Sequence, residues 1–151
     1  MIRFIALDSG PLGLLAQRPG AVEADACRKW LGVKTSTGIR VLVPEIVDYE
    51  LRRELLRAGK TTSIARLDGI LAYPVVDILL ITSAALRRAA ELWAKARQQG
   101  KPTADPHALD VDVILAAQLL ASGFDPSEFV VATSNISHLS QFVPAELWSR
   151  I

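Results

Sequence analysis

The sequence predicts an α/β fold in which helices cover both faces of a parallel sheet. Four short apolar runs have the length of buried strands, and the segments between them carry apolar residues at helical spacing. The chain has 151 residues, half of them hydrophobic and 22% charged, which is typical of one globular domain with a substantial core. We therefore expect a single domain built around one sheet.

Turn and capping residues mark where the elements begin and end. Pro11 lies early in the first helix, and Pro44 opens the helix that follows the second strand. Gly59 ends that helix, and Thr82 or Ser83 caps a later one. The predicted strands are residues 2–8, 39–44, 75–81 and 128–133. The predicted helices are 11–17, 22–33, 45–58, 62–72, 84–98 and one that follows the polar loop 101–110 and ends near residue 122, while 144–151 is predicted to be a short helix or an edge strand.

Composition and charge narrow the class of protein. No apolar run approaches the roughly 18 residues of a membrane span, and the apolar run at the N-terminus is too short for a signal peptide, so we expect a cytoplasmic protein. A single cysteine, Cys27, excludes an internal disulfide and is predicted to be a buried apolar residue. The net charge of +1 provides no general attraction to nucleic acid. Basic clusters within 52–66 and 87–101 are either solvated helix faces or phosphate contacts.

Polar side chains follow two of the predicted strands at the point where each strand ends. The first strand ends at Asp8, and the fourth is followed by Thr133, Ser134 and Asn135. Ligands of open parallel sheets bind outside the carboxyl ends of the strands. A buried carboxylate without a partner is costly, so Asp8 is either a helix cap or one of several acids around a cation.

Two further acids come from predicted helices. Glu50 is either a surface residue paired with Arg53 or a site acid, and Asp112 begins a strongly apolar helix and is either paired with an arginine or part of the site. Asp110 and Asp112, placed on one helix, would point about 200° apart, so at most one faces a given site. Three acids, Asp8, Glu50 and Asp112, together with the amide of Asn135, predict a cup of oxygen ligands for a hard cation, Mg²⁺ or Mn²⁺.

Four other polar residues are predicted to lie outside this site. Asp77 interrupts the third strand, and Asp48 falls in the middle of a helix on its polar face. The two histidines, His107 and His138, are interpreted as surface residues of a loop and of the segment after the last strand. Asn135 also has a simpler interpretation, as a residue that favours a turn.

The order of four motifs resembles a known family. The motifs are "ALDSGPL", "VPEIVDYELRREL", "LDVDVILAAQLL" and "VATSNISHLSQF", and together they are similar to PIN domains, most of all to the toxin ribonucleases of VapC type. The resemblance runs from residue 2 to about residue 143. It implies a three-layer α/β/α sandwich with a central, mainly parallel sheet of four or five strands, and one PIN domain over residues 1–151.

The resemblance also implies an activity and its residues. It implies an endoribonuclease that uses Mg²⁺ or Mn²⁺ to activate water against a phosphodiester. Asp8, Glu50 and Asp112 match the family's first three acids and are the expected metal ligands. Asn135 stands where many members have an aspartate, which puts a second metal ion in question. The remaining expected site residues are auxiliary: Ser9, Asp110, Thr133 and Ser134.

Partners follow from the same resemblance, which implies a small antitoxin and a homodimer. The segment "LLRAGKTTSIARLDGILAY", residues 55–73, mixes apolar and basic residues and is the predicted surface for one of them. One alternative is a PIN-like module that binds RNA or protein without cutting it. Another is a phosphoryl-transfer or receiver domain, which would need a lysine after a late strand; none of the predicted strands ends in one.

Overall fold

The computed structural model describes residues 1–107 and 109–151, and these form one parallel sheet covered by helices. The strands of the described residues are β1 (Phe4–Leu7), β2 (Arg40–Pro44), β3 (Val76–Leu79), β4 (Phe129–Thr133) and β5 (Ala145–Leu147). The helices are α1 (Ser9–Leu15), α2 (Val22–Ser36), α3 (Glu45–Arg57), α4 (Thr61–Leu71), α5 (Ser83–Gln98), α6 (Val111–Ala121) and α7 (Ile136–Leu139), with a 3₁₀ turn over Trp148–Arg150. The predicted α/β sandwich is confirmed.

The order of the strands determines where a ligand site can form. The sheet has the order β3-β2-β1-β4-β5, and every neighbouring pair is parallel. The chain moves outward from β1 through β2 to β3 and then returns to β4 on the other side of β1. Leu7 lies opposite Ala132 in the register of β1 and β4. The residues that follow these two strands therefore flank the switch point of the sheet, where ligands of such folds bind.

Helix α6 is the most deeply buried helix of the described chain. Its residues from Val113 to Leu119 are at most 8% exposed. Ala116 and Ala117 are fully buried, and their small methyl side chains let the helix approach its neighbours closely. Gln118 is its buried polar residue: the side chain accepts a hydrogen bond from Ile46 N at 3.2 Å and donates one to Leu79 O at 2.7 Å. These contacts hold α6 against the start of α3 and the end of β3.

Several boundaries differ from the sequence prediction for local reasons. Helix α1 begins at Ser9 rather than residue 11, because the side chain of Asp8 caps it. Helix α2 continues to Ser36, three residues further than predicted. The C-terminal tail forms both an edge strand and a 3₁₀ turn, and the one-turn helix α7 was not predicted. No helix in the described part of the chain is long and apolar enough to cross a bilayer.

Candidate active site

Asp8 lies at the switch point of the sheet and has two roles at once. Its Oδ1 accepts a hydrogen bond from Ser9 N at 2.8 Å and thereby caps α1. Its Oδ2 accepts a hydrogen bond from the hydroxyl of Thr133 at 2.7 Å, across the two central strands. A carboxylate has lone pairs for several donors, so the cap and the strand-end contact coexist. The two alternatives for Asp8 thus do not exclude each other.

Glu50 reaches the same place from α3 through a serine. Ser9 Oγ donates a hydrogen bond to Glu50 Oε1 at 2.8 Å, so Ser9 connects Asp8 and Glu50 with its backbone and its side chain. Glu50 takes part in none of the ion pairs found among the described residues. Arg53, the partner considered for it, instead stacks on the ring of Tyr49 at 5.3 Å.

Asp112 occupies the first turn of α6 and is the acid whose ionisation the protein most disfavours. Burial, and after it the negative charge of Asp8, raise the pKa of the Asp112 carboxyl to about 6, and Asp110 adds to this. His138 opposes the shift, because its Nδ1 lies 3.3 Å from Asp112 Oδ2. Asp8 and Asp112 therefore sense each other's charge. The basic side chain beside Asp112 in the described structure is this histidine rather than an arginine.

Asp110 supports the start of α6. Its Oδ1 accepts a hydrogen bond from Val113 N at 3.2 Å, and its Oδ2 accepts one from the hydroxyl of Thr103. The residue is the N-cap and lies outside the helix, so the expectation that Asp110 and Asp112 diverge by 200° along one helix is wrong. At 7% exposure, Asp110 serves to begin the helix that carries Asp112.

The segment after β4 is organised by Asn135. Its Oδ1 accepts hydrogen bonds from both the backbone N–H and the hydroxyl of Ser137, at 3.1 and 2.8 Å, and so caps α7. Its backbone N–H donates to Thr133 Oγ1 at 3.0 Å. The amide oxygen that was expected to face a metal ion is thus engaged in a turn. Ser134 is exposed beside Gly10, where a larger side chain would collide with the Ser134 hydroxyl.

His138 contacts Asp112, one of the candidate site acids, a contact that its interpretation as a plain residue after the last strand did not include. The contact with Asp112 arises because Asn135 starts a helix and His138 lies one turn further, on the side that faces α6. In the sequence, this contact was indicated by a capping residue, Asn135, followed three positions later by a histidine. His107, in contrast, is exposed as predicted.

The acids that were predicted to lie outside the site are neutralised by arginines. Asp77 receives two hydrogen bonds from Arg40 on the neighbouring strand, at 2.7 and 2.8 Å. Asp48 pairs with Arg52 at 2.9 Å, and the same guanidinium reaches Asp68 at 2.8 Å. Asp77 lies within β3 and Asp48 within α3, as predicted.

The chemistry of the site fits a hydrated divalent cation. Among residues 1–107 and 109–151, no group of three or more histidine, cysteine, aspartate or glutamate side chains is arranged to hold a metal ion directly. Mg²⁺, however, usually keeps several waters and uses one or two carboxylates. Asp8 and Asp112 supply two that repel each other, and no arginine or lysine pairs with either within the described chain. A cation between them would relieve that repulsion.

One family model matches most of the chain. The family described as PIN domain matches residues 14–136, a range that includes Glu50, Asp112 and Asn135 and begins shortly after Asp8. No curated protein matches the chain significantly in sequence.

Solved structures share the fold at low sequence identity. A chain of VapBC2 from Rickettsia felis, bound to a DNA fragment from their promoter, has a TM-score of 0.72 at 16% identity, with 96% of this chain and 98% of that chain covered. DNA-bound VapBC from Salmonella typhimurium gives 0.69 at 19% identity, covering 98% of this chain and 99% of that one. VapBC-1 from nontypeable Haemophilus influenzae gives 0.64 at 15% identity, covering 97% and 98%.

Proposed function

This chain belongs to the PIN domain family, and from that premise we propose that it is a VapC-like toxin, a Mg²⁺- or Mn²⁺-dependent endoribonuclease of the cytoplasm. The observation that carries the proposal is the pair Asp8 and Asp112, whose carboxylates are close enough for the negative charge of Asp8 to help raise the pKa of Asp112. Asp48 and Asp77 have arginine partners, whereas neither Asp8 nor Asp112 pairs with an arginine or a lysine among the described residues.

Each residue of the site has a separate task in this proposal. Asp8 and Asp112 would hold the metal ion, and Glu50 would accept hydrogen bonds from its waters. Ser9 and Thr133 fix the orientation of Asp8, while His138 fixes one oxygen of Asp112 and leaves the other available. When bound, the metal supplies Lewis-acid polarisation of the phosphodiester and lowers the pKa of a water nucleophile.

The function is tested by incubating the purified protein with single-stranded RNA in Mn²⁺, in Mg²⁺ and in EDTA. We expect cleavage with either ion and none in EDTA. Glu50→Gln, which keeps the shape and can still meet the Ser9 hydroxyl, should reduce the rate without unfolding the protein. RNA that stays intact with both ions, in a preparation that is folded by circular dichroism, would refute the nuclease assignment.

A non-cutting module remains the second candidate, because the described residues do not hold three ligands ready for a metal ion. A calorimetric titration with Mn²⁺ separates the two functions. A nuclease requires saturable binding that is lost in Asp8→Asn, whereas an RNA- or protein-binding module has no need of it.

We also propose that a small antitoxin binds the apolar groove between α2 and α4. The groove has a volume of about 570 Å³. Ile70 of α4 and Tyr73 of the turn that follows line it, and both belong to the predicted surface 55–73. Arg28 and Arg66 are among its lining residues. Arg28 already pairs with Asp25 at 2.7 Å, whereas Arg66 takes part in none of the ion pairs among the described residues and favours an acidic residue in the partner. The structural neighbours are VapBC complexes, which supports a partner of this kind.

This partner is tested by co-expressing the chain with the small reading frame beside its gene. Ile70→Asp should abolish co-purification, while Val22→Asp, an exposed apolar residue outside the groove, should not. Equal retention of the partner by both variants would move the interface elsewhere. A homodimer, the other proposed assembly, is tested on the chain alone by light scattering.

A further inference from the structure

A second cavity, with basic side chains, lies between α5, the end of α6 and the segment that follows α7. It has a volume of about 420 Å³ and is lined by Arg88, Lys95 and Lys101 on one side and by Gln141 on the other. Leu92, which is 7% exposed, belongs to its floor. We call this cavity the basic pocket. It shares no residue with the candidate active site or with the groove between α2 and α4.

The charge of the basic pocket is largely uncompensated. Arg88 pairs with Glu91 at 2.9 Å, but Lys95 and Lys101 take part in none of the ion pairs found in the described part of the chain. Both lysines are exposed, so their ammonium groups are available to a ligand. The amide of Gln141 adds a neutral donor opposite them. A cavity with these donors favours an anion and disfavours a cation.

Two separate segments connect the walls of the basic pocket to the residues around Asp112. Gln141 follows His138 by three residues, a span of at most about 11 Å, in a segment where Phe142 N donates a hydrogen bond to Leu139 O. His138 itself contacts Asp112. On the other wall, Lys101 precedes Thr103 by two residues, a span of at most about 7 Å. Thr103 donates to Asp110, the cap of the helix that carries Asp112.

From this placement we propose that the basic pocket binds a backbone phosphate of the single-stranded RNA, next to the phosphodiester at the acids. The inference rests on the proposed nuclease function. If the scissile phosphate of the RNA lies at Asp8 and Asp112, the neighbouring phosphates of the strand pass one wall of the basic pocket. Lysine and glutamine contacts to phosphate position a strand without reading its bases. The pocket would therefore set the register of the RNA and contribute affinity independent of sequence.

The experiment measures binding apart from cleavage. Fluorescence anisotropy is recorded for a labelled single-stranded RNA of about 12 nucleotides in EDTA, over a series of salt concentrations. The test variant is Lys95→Ala/Lys101→Ala. Its matched control is Arg18→Ala/Lys29→Ala, which removes two exposed positive charges that lie outside the pocket. Lys95→Arg/Lys101→Arg keeps the charge in place, and thermal unfolding verifies that each variant is folded.

We expect the alanine variant to bind RNA about 10-fold more weakly at low salt, and the slope of log affinity against log salt to fall by about 0.7 for each phosphate that the variant no longer neutralises. The arginine variant should bind like the original protein, and the control should lose much less affinity. An unchanged slope in the alanine variant, or an equal loss in the control, overturns the inference.

The two proposals fail in different ways. If the alanine variant loses RNA affinity but the original protein does not cleave RNA in Mn²⁺, the basic pocket stands as an RNA site and the nuclease function falls. If RNA is cleaved but its affinity does not depend on Lys95 and Lys101, the nuclease stands and the basic pocket does not bind the strand.

Discussion

Two acidic regions of this molecule use the same residue type to opposite effect. On the outer side of the sheet, Asp77 accepts two hydrogen bonds from Arg40, and these bonds hold the pKa of its carboxyl below the ordinary value. At the switch point, burial and the charge of Asp8 raise the pKa of Asp112 to about 6. Arg40 compensates the negative charge of Asp77, whereas no arginine or lysine among the described residues pairs with Asp8 or Asp112.

The difference separates structural acids from acids that can bind a cation. Asp48, Asp68 and Asp77 each pair with an arginine. Arg40 joins β2 to β3 in this way, and Arg52 joins α3 to α4. The acids at the switch point are held by hydroxyl, backbone and imidazole groups instead. These partners orient a carboxylate and leave most of its negative charge for a metal ion.

The largest expected effect comes from removing one charge at the switch point. Asp8→Asn or Asp112→Asn should lower the rate of RNA cleavage by about 100-fold or more, since loss of residues that only support a metal ligand already costs 10- to 100-fold. Asp77→Asn removes the same charge from the paired region and should leave the rate unchanged. Cleavage assays in Mn²⁺ on the three variants check this, and a comparable loss in Asp77→Asn would end the distinction between the two regions.

A lower pH should weaken the binding of a metal ion at the switch point. Metal binding needs the ionised carboxylate, so Mn²⁺ affinity should fall about tenfold for each pH unit below about 6, the pKa of Asp112. Calorimetric titrations between pH 5 and pH 8 (conditions spanning roughly one unit below and two above that pKa) measure this. An affinity that stays constant down to pH 5 would show that Asp112 does not ligate the ion.

The stability of the metal-free protein should have the matching pH dependence. Because the pKa of Asp112 is higher in the folded chain than its ordinary value of 3.8, the folded state binds this proton more tightly. The stabilisation is fully present below pH 3.8 and is lost as the pH rises through about 6. At pH 7, Asp112→Asn should therefore raise the free energy of unfolding by about 1–3 kcal/mol, measured by urea denaturation in EDTA. A less stable variant would contradict the electrostatic account.

His138 offers a smaller effect with its own internal control. His138→Ala removes the hydrogen bond to Asp112 and should weaken Mn²⁺ binding by about 10-fold. His138→Asn places an amide N–H close to the position of Nδ1 and should retain most of the affinity. Electron paramagnetic resonance titration with Mn²⁺ compares the two. Equal affinities in both variants would mean that the 3.3 Å contact does not orient the carboxylate.

The smallest effect is expected in the paired region. Arg52→Ala removes contacts to Asp48 and Asp68, yet partly exposed ion pairs contribute less than about 1 kcal/mol each. The free energy of unfolding should fall by less than about 1 kcal/mol for each lost pair, and the affinity for Mn²⁺ should not change. A loss of Mn²⁺ binding in this variant would reveal coupling between α3 and the switch point that the contacts do not suggest.

The sequence predicted Asp8 and Asp112 for good local reasons but could not predict how each is held. The sequence alone shows both an acid directly after an apolar strand and an acid at the start of an apolar helix. The bridging role of Ser9, the cap by Asp110 and the contact of His138 depend on side-chain directions at element ends. Strand β5 and helix α7 were difficult to predict because three or four residues are too few to show a period.

The sequence by itself determined the α/β class, the buried helix α6 and the set of acids from which a site could be built. Those features follow from periodicity, capping residues and strand ends, which depend on neighbours within a few positions. Only the tertiary structure decided which acids meet and which are neutralised. The hydrogen bond between Thr133 and Asp8 joins residues 125 positions apart, and that between Arg40 and Asp77 joins residues 37 positions apart. Strand order and register create both contacts, because a charge finds its partner through the sheet and not along the chain.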